Sequence, residues 1–125
     1  MAGTVVADTI QDGAGNSTAM DNAIYGSAKA WVNFAGSTAT IRASYNTSSI
    51  TRVTTGQFTM NLTNALADAN FCITGTAGSG NVYGDYGIAN RGQGSNTSST
   101  VTFNTFITHA TTLVDCDLIT VAVFR

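Results

Sequence analysis

Asp115-Cys-Asp117 gathers three possible metal ligands into consecutive positions, and it is the densest cluster of reactive side chains in the sequence. In a strand the two carboxylates share a face, and backbone carbonyls would complete the shell of a hard cation there. The competing reading, adopted here, is a charged turn ahead of the last strand, with no metal. Asp8 and Asp12 form a second, looser pair. His109 is the only histidine, and it sits in the polar connection Ile107-Thr-His-Ala-Thr-Thr-Leu113, where a solvated role suits it better than acid–base catalysis. Glutamate is absent, no Gly-x-Ser-x-Gly elbow presents a nucleophile, and neither Cys72 nor Cys116 has a histidine close in sequence. The Gly-x-Gly pairs between Gly78 and Gly94 do not follow a strand and open a helix, so they carry no dinucleotide fingerprint. The expectation is a protein that is not an enzyme and holds no cofactor.

The chain's 125 residues suit one domain, of a size at which partner chains matter to stability. Its surface is polar without being charged: only 10% of residues carry charge, Pro is absent, and Thr, Ser, Asn and Gly dominate. A net charge of −2 with cations scattered at Lys29, Arg42, Arg52, Arg91 and Arg125 offers no footprint for a phosphate backbone, so no nucleic-acid partner is expected. At 43% hydrophobic residues the chain is too apolar to be disordered, and no run approaches the roughly 18 apolar residues of a membrane helix. The first residues lack the basic region and apolar stretch of a secretory signal, which points to assembly in a cytoplasm. In that reducing compartment Cys72 and Cys116 are read as two free thiols, with one disulfide as the alternative. The Asn-x-Ser/Thr sequons then carry no meaning.

Alternation with period two, rich in β-branched residues, recurs along the chain, while no apolar stripe at helical spacing does. The fold class is therefore all-β: a compact antiparallel β-sandwich, jelly-roll-like, with an extended N-terminal arm; a small barrel is the alternative. Residues 1–27 form the arm, for attachment or for intertwining chains, because they hold too little apolar content for a core. Residues 28–125 form the sandwich. Ala30–Phe34 and Thr40–Tyr45 read as a hairpin, the second strand with Ile41, Ala43 and Tyr45 on one face and Arg42 and Ser44 on the other. Ser49–Val53 turns through Thr54-Thr-Gly56 into Gln57–Leu62. Phe58 to Thr76 reads as a further hairpin, with Phe58, Met60, Leu62, Phe71 and Ile73 filling the core. Thr100–Ile107 and Leu118–Phe124 complete the strands.

Two features offer recognition rather than chemistry. Gly75 to Ser99 reads as a long Gly-rich loop in which Tyr83, Tyr86, Asn90, Arg91 and Gln93 would present flat rings and hydrogen-bonding groups. The competing reading folds the tyrosines back on the sheet. Trp31 falls on the face opposite Val32 and Phe34, so it is outward; subunit packing or burial under the arm suits it better than stacking on a sugar ring.

Several blocks then carry a resemblance: Ala28-Lys-Ala-Trp-Val-Asn-Phe-Ala-Gly36, Thr40-Ile-Arg-Ala-Ser-Tyr-Asn-Thr-Ser-Ser-Ile50, Thr55-Gly-Gln-Phe-Thr-Met-Asn-Leu-Thr-Asn-Ala-Leu-Ala-Asp-Ala-Asn-Phe71 and Val121-Ala-Val-Phe124. Together they resemble a module of tail-fibre and related virion proteins of aquatic tailed bacteriophages, marine and cyanophage-like. The sequence departs from that pattern at Ala67, where the family has Pro, and at Arg125, where it has a Gly-containing tail. The resemblance implies a non-enzymatic virion structural protein, a homotrimer, without cofactor and without membrane insertion. A short tail fibre displaying Gly75–Ser99 to a host cell-surface glycan, held to other virion proteins through residues 1–27, is one form of it. A capsid decoration protein is the other.

Overall fold

The computed structural model describes residues 3–80, 86–91, 95–110 and 112–125. The chain forms an antiparallel β-sandwich of two four-stranded sheets. Strand β3 (Ala28–Ala35) pairs with β4 (Thr40–Tyr45) and, on its other side, with β10 (Leu118–Phe124), which also pairs with β7 (Cys72–Gly78). The second sheet orders β5 (Thr47–Thr54), β6 (Gln57–Leu62), β9 (Thr100–Ile107) and β8 (Tyr86–Asn90). The likeness to a jelly roll lies in these two four-stranded sheets; the local hairpins are β3–β4, β5–β6 and β8–β9.

Alternation explains why these segments pair and stack. Along β3, Ala30, Val32 and Phe34 are buried while Trp31 points out; along β6, Phe58, Met60 and Leu62 are buried; β9 and β10 add Val101, Phe103, Ile119, Val121 and Val123. Removing these side chains from water is the main drive for closing the sheets on each other. At the centre the Phe34 ring meets Phe58 edge-on at 5.2 Å between centroids and Phe103 at 6.1 Å, so each sheet contributes to one aromatic cluster.

Asn46 makes the first passage between sheets in one residue. It adopts φ of 53°, a left-handed conformation that asparagine tolerates well, between β4 and β5. Its amide donates to the carbonyls of Lys29 at 3.0 Å and Asn64 at 3.1 Å and accepts from the Asn64 N–H at 2.7 Å, clipping the sheets together at that corner.

Three sequence expectations are corrected. The alternation from Phe58 to Thr76 is no hairpin: β6 belongs to one sheet and β7 to the other, and residues 63–71 cross between them. Both strands do turn their apolar residues to the shared core, which is why alternation resumed. In β4, Ile41 opposes Phe34 while Ala43 opposes Asn33, with an irregular register between them. Arg42 is the extra residue of this bulge, so Ile41 faces inward, Ala43 and Tyr45 face outward, and Arg42 joins the outer side. Finally, Gly75–Ser99 is not one irregular loop, because β7 continues to Gly78 and β8 lies within it.

The N-terminal residues carry more local structure than an extended arm. β1 (Thr9–Gln11) and β2 (Ser17–Ala19) form a small hairpin, followed by helix α1 (Met20–Gly26). Asp12 builds the hairpin loop: its carboxylate accepts from the N–H groups of Ala14 and Asn16, both at 2.9 Å, and from the Asn16 amide at 2.8 Å. No residue of α1 is buried. The helix runs almost directly into β3, and the Lys29 ammonium donates to the Ile24 carbonyl and to Ser27 Oγ at this junction.

Candidate functional site

Of the residues expected to form a recognition loop, Tyr83 and Gln93 lie outside the described residues. Tyr86 begins β8 opposite Ile107 and packs half-buried against the core together with Ile88. Its ring thus supports the sheet, the role of the competing reading. Asn90 ends the same strand, and its side-chain oxygen accepts from the Asn96 amide at 3.1 Å. Asn96 in turn accepts from the Thr102 N–H at 2.7 Å and hydroxyl at 3.0 Å, pinning residues 95–100 across β9. Arg91 donates its backbone N–H to the Thr102 carbonyl at 3.3 Å and leaves its side chain exposed. Asn90 and Arg91 therefore stand together on a fastened strand end, with Asn96 beside them.

The Asp115-Cys-Asp117 ligands point apart. Asp115 Oδ2 takes the Arg52 guanidinium through Nε at 2.9 Å and Nη2 at 2.6 Å, and Asp115 Oδ1 takes the Gly56 N–H at 2.8 Å. Burial alone would raise the pKa of this carboxyl, but the hydrogen bonds from Arg52 and Gly56 outweigh it and hold it below the usual range. Cys116 is fully buried, its carbonyl accepting from the Gly36 N–H at 2.9 Å, and burial pushes its thiol up. Asp117 accepts from Ser79 Oγ at 3.2 Å. The cluster is a fastening for loops, and among the described residues no group of three His, Cys, Asp or Glu converges as a metal site. Asp8 lends its carbonyl to the Met20 N–H, while Asp12 is occupied in its own turn. His109 lies exposed in the turn after β9.

Trp31 stands outward, 39% exposed, as the alternation required. Its neighbours come from strands distant in sequence. Tyr45 opposes it on β4 and Ala122 on β10, with Thr74 beyond on β7; the adjacent row runs Ala43, Asn33, Thr120 and Thr76. Arg42 reaches over this face, donating to Asn33 Oδ1 at 3.4 Å and to the Asp117 carbonyl at 2.8 Å. Thr76 and Thr120 share a hydrogen bond at 2.8 Å. The result is a shallow groove of about 450 Å³ across β3, β10 and β7. The sequence places Trp31 outward with Asn33 beside it on the same side, but not Tyr45 and Arg42 across from them. The register of β3 against β4 decides that, and the bulge hid it.

What this surface offers is stacking and hydrogen bonding rather than proton transfer. Comparison with family models, curated proteins and solved structures finds no match for this chain.

Proposed function

We propose that the chain is a non-enzymatic structural module of a phage particle, of the tail-fibre type, in which the sandwich holds the β7–β9 connections toward a host surface glycan. The observation that carries this reading is the use of the charged side chains. Arg52 with Asp115, Arg125 with Asp68 and Asp117 with Ser79 all fasten loops to a rigid double sheet. Such a frame supports recognition by connections at its rim, where Asn90 and exposed Arg91 supply amide and guanidinium groups suited to sugar hydroxyls. The resemblance of residues 28–76 to tail-fibre modules adds to this reading.

A second reading, a capsid decoration protein, is favoured by one specific feature: the N-terminal segment leaves Val5, Val6, Ile10, Ile24 and Tyr25 exposed, as a segment gripping a shell would before docking. Immunogold electron microscopy of phage particles with antibody to the folded domain separates them. Gold on tails or fibres is expected. Gold across the head replaces the adhesive reading with decoration, and unlabelled particles overturn both.

A further inference from the structure

Among the described residues two surfaces expose large apolar side chains, and they differ in charge. The first is the N-terminal segment, where Val5 is 84% exposed, Val6 93% and Tyr25 64%. An exposed set of that size on one short segment is an interaction surface rather than scatter. Residues 1–27 also hold Asp8, Asp12 and Asp21 and no Lys or Arg, a formal charge of −3. The second is the outer face of β4–β3–β10–β7, where Trp31, Tyr45 at 58% exposure and Leu118 at 45% stand beside the groove. Residues 28–125 hold all five Lys and Arg against Asp68, Asp85, Asp115 and Asp117, a formal charge of +1. Arg42 lies on that face with its guanidinium resting on neutral acceptors, Asn33 Oδ1 and the Asp117 carbonyl.

We infer that residues 3–27 of one copy dock on the β4–β3–β10–β7 face of a second copy, seating the apolar side chains of the segment against Trp31 and Tyr45 and setting its aspartates toward Arg42. The complementarity is of polarity and of sign: an acidic, apolar segment meets a groove whose lining is apolar and hydroxylic, with Arg42 and Lys29 as cations on its face against Asp117 at its edge. The segment makes little use of its own sandwich. Lys29 ties the end of α1 at the start of β3, and β1, β2 and α1 pack on one another with all but two of the residues from Thr9 to Gly26 exposed. A heterologous contact of this kind closes into a ring when the rotation permits and otherwise extends. The inference goes beyond the proposed function, because it holds for a tail or a head protein alike.

Trp31 is the sole tryptophan, so its fluorescence reads the face directly. The test compares the full chain with the full chain carrying Val5→Asp and Val6→Asp, positions too exposed to affect folding of the sandwich, by sedimentation over a concentration series and by iodide quenching. The expected result is an associated wild-type chain with shielded Trp31, and a variant whose association is weakened by about tenfold or more with Trp31 opened to quencher. Arg42→Glu is expected to weaken association in the same direction. A monomeric wild type with open Trp31 overturns the inference. So does a monomeric wild type with shielded Trp31, which would mean docking within one chain. An associated pair of proteins with equal quenching overturns it too, since the contact would then lie elsewhere.

Discussion

The Asp68 carboxylate accepts both arms of the Arg125 guanidinium, Nε at 2.8 Å and Nη2 at 2.6 Å, and so ties the crossover between β6 and β7 to the end of β10. The Asn70 N–H adds a third bond to the same carboxylate at 2.8 Å. The pair thus fastens the long connection of residues 63–71 to the end of the last strand.

The clamp predicts an acid response. The Arg125 hydrogen bonds, then the Asn70 N–H, hold the Asp68 pKa at about 2, below its ordinary 3.8. Because the folded value is the depressed one, the group's contribution is present above pH 3.8 and is lost as pH falls toward about 2. Asp68→Asn is expected to melt below wild type at pH 7, with the gap closing at pH 2. Both partners are exposed, so the gap also narrows in high salt. Melting curves by circular dichroism at the two pH values check this; a gap that stays constant with pH would assign the effect to something other than charge.

Asp115 and Arg52 are unequal partners. Arg52→Ala leaves Asp115 still accepting the Gly56 N–H, whereas Asp115→Ala strips both and leaves that partly buried donor unpaired. An unsatisfied buried donor costs about 1–3 kcal/mol. Urea denaturation is therefore expected to rank Asp115→Ala below Arg52→Ala in stability, by about 1 kcal/mol or more. Equal losses would show that the ion pair, not the turn, is what the carboxylate stabilises.

Gly56 itself is constrained twice. It turns β5 into β6 with φ of +64°, and a Cβ there would stand 2.5 Å from the Val114 N and 2.6 Å from the Thr105 carbonyl oxygen. Gly56→Ala is expected to destabilise by more than about 1 kcal/mol, since backbone atoms cannot yield as a flexible side chain would. Gly26→Ala, where nothing lies within 4 Å, serves as the matched control and is expected to be near neutral.

The aromatic cluster sets the largest expected loss. Phe58 is fully buried between Phe34 and Phe103, so Phe58→Ala leaves a cavity bordered by both sheets. Losses of about 3–5 kcal/mol accompany such truncations. Urea titration monitored by circular dichroism measures it, and a loss below about 1 kcal/mol would mean that the sheets close over the gap.

These expectations rest on parts of the fold that were unequally legible in the sequence. β4, β6, β9 and β10 have the bounds that alternation predicts, and in β6 and β10 the buried and less buried residues alternate strictly. β8 was hidden among glycines, although Tyr86 and Ile88 alternate correctly around Gly87. That glycine is required by packing: a Cβ would stand 2.6 Å from the Phe106 ring. Alternation reports which face is buried and says nothing of the partner strand, so the passage from β6 to β7 looked like a hairpin. The outer-face neighbours of Trp31 were illegible for a related reason, since a single inserted residue at Arg42 exchanges the faces of Ala43, Ser44 and Tyr45.

The two cysteines give a prediction that separates topology from proximity in sequence. Cys72 opposes Phe124 at one end of β10, while Cys116 precedes Leu118 at the other end. Six strand steps at about 3.3 Å put their backbones about 20 Å apart. A disulfide needs Cα atoms within about 7 Å, so the thiols cannot pair within one chain without unfolding it. They should also differ in reactivity. Cys72 is exposed on β7, whereas Cys116 is buried with its thiol pKa raised by that burial. Titration with an aromatic disulfide at pH 8 is expected to modify Cys72 promptly and Cys116 only at the rate of unfolding. Urea should therefore release the second thiol along the same curve that reports loss of the sheets, and Cys72→Ser should remove the prompt phase alone. Two prompt thiols in the native protein would show that the loop from Val114 to Asp117 opens without the sandwich, detaching Asp115 from Arg52 and Gly56.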